Sequence, residues 1–421
     1  MTVSHSRRIR TLWLLGILHA FTHIYHVCVM PLYLQIQQGL GLPEVGKATL
    51  LMTVLMVSYF GPSYPMGLLA DHFSRKKLLV IGLLINGLGF VGLGLSKSFP
   101  FAIGSMIVAG LGGSLFHPAA TAMVARLFPE ATGKALGLFG IGASVGFFIG
   151  PLYSGWRGGM SGWRAPLIEL GLAGMVFALL FFWLADEEAP APAPQIHQLK
   201  SHVKIFPTGA LWIFFFAACI AFGMRDFAGF TMGSLGSLFL QRAHGFDVPH
   251  TGFVLSFIYI ASALSNPLFG GLSDKSRLRW CLLVLACASL LVTLFPHLPK
   301  GWMIPGFLAY GFFFMASYPI IEAAVMVSVP ENVRGRVFGI WLTIGGFTGN
   351  LSHWLVGKWV QHLGPSANRP EGFYWSYAFL GSLILLSLLG LPCLHAIRRR
   401  EYLDEQKQAV VPPFIQPSPM E

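Results

Sequence analysis

The sequence predicts an all-α membrane protein of twelve transmembrane helices in two six-helix halves. Three observations carry that reading: an apolar composition, a series of bilayer-length apolar runs divided by one polar linker, and a second half that repeats the first. Hydrophobic residues make up 54% of the 421 residues and charged residues 11%, against about 25% charged in soluble domains. A soluble core cannot bury so much apolar surface. The 49 glycines and 36 phenylalanines suit helices that pack closely against one another and face lipid.

Apolar runs of about 20 residues, the length needed to cross a bilayer, fall near 11–33, 47–69, 78–96, 101–124, 135–155 and 165–185. Six more fall near 209–238, 251–272, 280–296, 302–327, 337–360 and 373–396. The first follows Arg7, Arg8 and Arg10 but runs past Pro31 without a small-residue cleavage pattern, so it reads as a membrane helix rather than a removable signal. The expected domains are a first half over 1–185, a proline-rich cytoplasmic linker over 186–207, a second half over 208–397 and a polar, disordered tail over 398–421.

Lysines and arginines concentrate in the segments on the side of the two termini, which predicts that both termini are cytoplasmic and that the membrane is the cell (plasma or inner) membrane. The formal net charge of +11 is spread over these short clusters and not over one face, so no nucleic-acid partner is expected. Cys28, Cys219, Cys281, Cys287 and Cys393 lack paired or metal-ligand spacing and read as small hydrophobes.

Three segments recur in the same order in the two halves. YLQIQQGLGLPEVG from Tyr33 aligns with FLQRAHGFDVPHTG from Phe239, GLLADHFSRKK from Gly67 with GGLSDKSRLR from Gly270, and FHPAATAMVARLFPEATGKALG from Phe116 with SYPIIEAAVMVSVPENVRGRVFG from Ser317. An internal repeat of this kind is the trace of a transporter whose substrate site lies between its halves.

Polar side chains within the apolar runs carry the functional expectations, because they are costly in lipid. On helix one, His19, His23 and His26 fall within about 60° of arc at roughly 100° per residue and share a face. Imidazole titrates near neutrality, so these groups suit substrate hydrogen bonding or proton transfer, with satisfied helix-contact histidines as the plainer alternative. No carboxylate shares that helix, so no metal site is expected, and no cofactor. Arg225 and Asp226 sit inside helix seven, where the repeat alignment sets Arg225 opposite His19. Adjacent residues point about 100° apart on a helix, so the pair is not expected simply to neutralise itself. Glu322 on helix ten is either a proton-coupling carboxyl or a lock paired with Arg225. His117, Asn266, Asn350 and His353 are further candidates.

The loop from Gly67 through Asp71 to Arg75, with its second copy containing Asp274 and Arg277, resembles the cytoplasmic loop of the major facilitator superfamily. The resemblance implies a charge cluster that latches one conformation. Ser74 stands where that family usually has glycine. Gly146, Gly150 and Pro151 on helix five are similar to the helix-five motif of drug/proton antiporters and imply a packing hinge. His19, His23 and the stretch Gly112 to Ala120, with its His117 and Pro118, resemble fosmidomycin-resistance-type exporters, although Ala119 and Ala122 stand where such exporters have an acidic residue and an arginine, and Met106 stands where exporters of the superfamily often have a helix-four arginine.

These resemblances imply a secondary transporter, the expected partners being a small-molecule substrate, protons as the coupling ion and the lipid bilayer around a monomer. Efflux of a drug or other small molecule by alternating access is the leading expectation. Transport of a metabolite or organic anion in either direction is the alternative, and a non-transporting receptor or assembly partner is the reading from another class. No nucleophile–base pair, phosphate loop or metal spacing suggests an enzyme.

Overall fold

A computed structural model describes residues 5–186, 205–206, 208–329 and 333–409. The described residues are helical, with no strand among them. Among the described residues, ten helices are long and apolar enough to cross a membrane: Ser6–Gly39, Arg75–Leu95, Phe99–Leu127, Pro129–Ser161 and Arg164–Leu184 in the first half, and Gly209–Arg242, Val248–Ser273, Arg277–His297, Lys300–Met326 and Pro370–Arg400 in the second. These are helices one, three, four, five and six, then seven, eight, nine, ten and twelve. Helices two and eleven complete the twelve, and each is divided into shorter pieces.

Helix two consists of Val45–Phe60 and Ser63–His72 and parts at Gly61 and Pro62, where proline lacks the N–H that a continuous ladder needs. Helix eleven consists of Arg334–Asn350 and Ser352–Leu363. Its interruption has a different cause. In an unbroken helix the Trp354 N–H bonds the Asn350 carbonyl, but here the Thr53 hydroxyl stands between them, donating to Asn350 O at 2.9 Å and accepting from Trp354 N at 3.0 Å. A side chain of the first half is thus inserted into the helix ladder of the second.

Glycine sets the closest approaches on helix five. Gly142 and Gly146 lie directly on the backbones of Gly16 and Ala20 of helix one, and Gly150 lies on Ile24 and Val27. Further along, Gly155 and the Pro151 carbonyl lie against Gly252 of helix eight, across the divide between the halves. Helix five continues without a break through Pro151.

The halves also meet where helix one turns at Met30–Leu32. Met30 rests on Gly233, its carbonyl accepts from Ser237 Oγ at 2.7 Å, and the Pro31 carbonyl accepts from Gln241 Nε2 at 3.2 Å. The repeat alignment makes Gly236 the counterpart of Met30, so these contacts put the two helices in the register that the alignment gives.

One expectation changes. The tail is helical beyond Arg400, since the last helix, Gly390–Ala409, runs on through a stretch rich in helix-favouring Glu, Gln, Lys and Leu. Residues 410–421 lie outside the described set. Most of the expected linker 186–207 also lies outside it, but Asp186 is fixed to helix one, accepting from Arg10 Nη2 at 3.2 Å and donating its N–H to Thr11 Oγ1 at 3.1 Å.

Candidate substrate site

His19 and His23 are four residues apart and therefore one turn apart on the same helix face. The His19 Nδ1–H donates to the Phe139 carbonyl of helix five at 3.0 Å. A carbonyl only accepts, so the proton sits on Nδ1 and Nε2 is a bare acceptor. It faces His23 Nε2 at 3.1 Å. His117, from helix four, completes the cluster, its ring centroid 5.3 Å from that of His19 and 5.5 Å from that of His23. The walls are aromatic: Phe139 stacks on His19 at 4.0 Å, Phe147 lies 4.2 Å from His23, and Tyr59 stands edge-on to His26 at 4.8 Å.

The second half answers with a charged pair. The Arg225 guanidinium donates to Asp226 Oδ1 from Nη2 at 2.6 Å and from Nε at 3.1 Å, and to Ser317 Oγ from Nη1 at 3.3 Å. It also lies over the Tyr318 ring at 4.2 Å. This overturns the expectation that Arg225 and Asp226 do not neutralise each other. The backbone angle between adjacent residues does not constrain an arginine, whose long stem folds back to reach its neighbour's carboxylate.

Glu322 makes no ion pair with Arg225 among the described residues and is half-buried. The lock between Glu322 and Arg225 is therefore absent from this conformation, because Asp226 occupies the guanidinium. The two halves match in detail: the alignment sets His19 opposite Arg225 and His117 opposite Tyr318, and His19 touches the His117 ring in one half as Arg225 touches the Tyr318 ring in the other.

Of the expected latch, Asp274 and Arg277 lie 3.6 Å apart. Gly67 and Asp71 are on the second piece of helix two, with their side chains outside the described set. Arg75 begins helix three and is buried. Ser74, where the loop departs from the family pattern, caps that helix: its Oγ accepts from the Lys77 N–H at 3.3 Å.

A polar seam at the end of the bundle opposite the termini is not apparent in the sequence. Tyr33 of the first half bonds Ser234 Oγ at 2.8 Å, Ser234 bonds His353 Nδ1 at 2.7 Å, and His353 Nε2 reaches Asn350 Oδ1 at 3.2 Å. Lys358 of helix eleven pairs with Glu44, before helix two, at 2.6 Å. Asn350 and His353 stand out in the sequence as polar residues in an apolar run, and Lys358 and Glu44 as lone charges, but none of the four names its partner.

An all-helical fold of bilayer-length apolar helices, with polar pairs at matched positions in its two halves, suits a membrane transporter. The chain belongs to the Major Facilitator Superfamily, whose model matches residues 12–353. It is similar to Multidrug resistance protein MdtH of Shigella dysenteriae serotype 1 (strain Sd197), 25% identical over 334 residues that cover 76% of this chain and 79% of that protein. The protein of the same name from Escherichia coli (strain K12 / DH10B) is 25% identical over 335 residues, with coverage of 76% and 79%. Among solved structures, the bacterial homolog of the human lysosomal transporter Spinster in inward-facing and occupied conformation superposes with a TM-score of 0.74 at 16% identity, covering 98% of this chain and all of that one. A peptide transporter in complex with sulfate gives 0.72 at 16% identity, covering 92% of this chain and 94% of that one. These structural likenesses establish the fold.

Proposed function

We propose that the protein is a proton-coupled exporter of a small hydrophobic or mildly anionic organic molecule, working by alternating access in the cell (inner) membrane with both termini cytoplasmic. The observation that carries this reading is the pairing of His19 with His117 in one half and Arg225 with Tyr318 in the other. Such groups at matched positions suit a solute held between the halves. The multidrug resistance relatives and the helix-five glycines support efflux over uptake. The seam of Tyr33, Thr53, Glu44 and their partners supports a state closed on the outer side, so that the site is loaded from the cytoplasm.

Glu322 is the preferred coupling group. Asp226 is held in an ion pair, whereas Glu322 has none among the described residues, and a carboxyl without a fixed partner changes its protonation without breaking one. The test uses reconstituted vesicles with an imposed pH gradient. Substrate-dependent proton movement is expected in the native protein and its loss in Glu322→Gln, with substrate binding retained. Flux of a metabolite with no proton movement for any drug tested overturns the export reading. Full coupling in Glu322→Gln overturns the assignment of the carboxyl.

A further inference from the structure

We infer that His19, His23 and His117 form a binding site for a divalent transition-metal ion of the zinc type. The inference deepens the reading above, since these histidines are also the first half's share of the proposed solute site.

Helix one alone offers no reason for a metal: of the three histidines on its shared face, His19 and His23 bring their ring nitrogens together, and no carboxylate accompanies them. The fold adds the third ligand. One ring nitrogen from each of His19, His23 and His117 lies within 4.8 Å of the others. Tetrahedral coordination with metal–nitrogen bonds of about 2.0–2.1 Å puts ligand nitrogens roughly 3.3 Å apart. The His19 and His23 Nε2 atoms stand at 3.1 Å, so they need almost no movement, and a small rotation of the partly exposed His117 brings in the third.

The hydrogen bond from His19 Nδ1 to the Phe139 carbonyl is the support that metal-ligating histidines characteristically have, a backbone acceptor on one nitrogen that fixes the tautomer and aims the other nitrogen's lone pair. His23 Nε2 carries the proton shared with the bare His19 Nε2; when a metal takes both Nε2 lone pairs, that proton passes to His23 Nδ1, whose lone pair has no hydrogen-bond partner among the described residues. A neutral all-imidazole set favours zinc, copper or nickel over magnesium or calcium, which require oxygen ligands. Three protein ligands leave a fourth position for water or for an anionic oxygen of a transported solute.

The test is titration of the full-length purified protein, freed of any histidine tag, with Co2+ as the spectroscopic probe. One Co2+ per chain is expected, with the intense visible bands of a four-coordinate nitrogen-rich site, displaced by Zn2+. His23→Ala and His117→Ala each weaken binding by at least about tenfold, and His244→Gln, at a distant loop, leaves it unchanged. Absence of the visible bands in the native protein overturns the inference even if a variant fails to fold. Equal binding in the native protein and both cluster variants also overturns it. Drug-driven proton movement measured on the same preparation separates the two proposals: cobalt binding without such movement removes the export reading alone, and such movement without cobalt binding removes the metal site alone.

Discussion

Arg225 is 2% exposed, and its own chain neighbour holds its charge there. Removing one partner of such a pair leaves the other buried and unpaired, which costs about 3–5 kcal/mol. Arg225→Ala is therefore expected to lower the detergent-solubilised melting temperature by several degrees, whereas Glu322→Gln leaves it near the native value. Equal melting temperatures for native protein and Arg225→Ala show that the pair contributes no stability. The residues themselves were legible in the sequence because charged and imidazole side chains are rare in apolar runs. Their partners were not, because a helix wheel gives the direction of a Cβ and not the reach of an arginine.

Helices two and eleven show how a contact between elements shapes the elements themselves. Thr53 occupies the gap in the helix-eleven ladder, so Thr53→Val removes both of its hydrogen bonds and lets the Trp354 N–H return to the Asn350 carbonyl. The two lost bonds, each about 0.5–1.5 kcal/mol, are partly offset by the one regained. The net effect, about 1 kcal/mol, is a roughly fivefold shift toward the state open at the end opposite the termini. Spin-label distances across that end detect it, and an unchanged distance distribution excludes the role. Helix five gives the complementary case. Its glycines place Gly146 directly on the Ala20 backbone, so Gly146→Leu forces helices one and five apart at a cost of about 1–3 kcal/mol. It also displaces the Phe139 carbonyl from His19. Loss of transport without loss of membrane insertion is the expected readout.

At the scale of the whole molecule, the seam between the halves includes an acid-sensitive link. The Lys358 ammonium, bonded to Glu44 and aided by Gln361 and Lys47, holds the Glu44 carboxyl below its ordinary value of 4.5. A depressed carboxyl stabilises the closed seam above its unperturbed pKa, and the contribution is lost as pH falls through the lower value of the closed state. Closure is therefore expected to be insensitive to pH near neutrality and to weaken only in acid, below the ordinary carboxyl value of 4.5. Glu44→Gln should abolish that dependence. Distances between labels on the loop before helix two and the end of helix eleven measure it, and a native pH profile in the glutamine variant rules the link out.

The sequence by itself determined the helices, their division into two halves and the repeat register, because bilayer thickness, the cost of polar groups in lipid and an internal duplication all leave marks along the chain. It also located His19, His23, His117, Arg225, Asp226 and Glu322 as the residues to watch. Only the tertiary structure decided which of these act together: that Arg225 bonds Asp226 and not Glu322, that His117 joins two histidines of another helix, and that Glu44 and Thr53 engage helix eleven. Those pairings join residues distant in sequence, and they depend on how far each side chain reaches across a helix contact, which no periodicity along a single chain records.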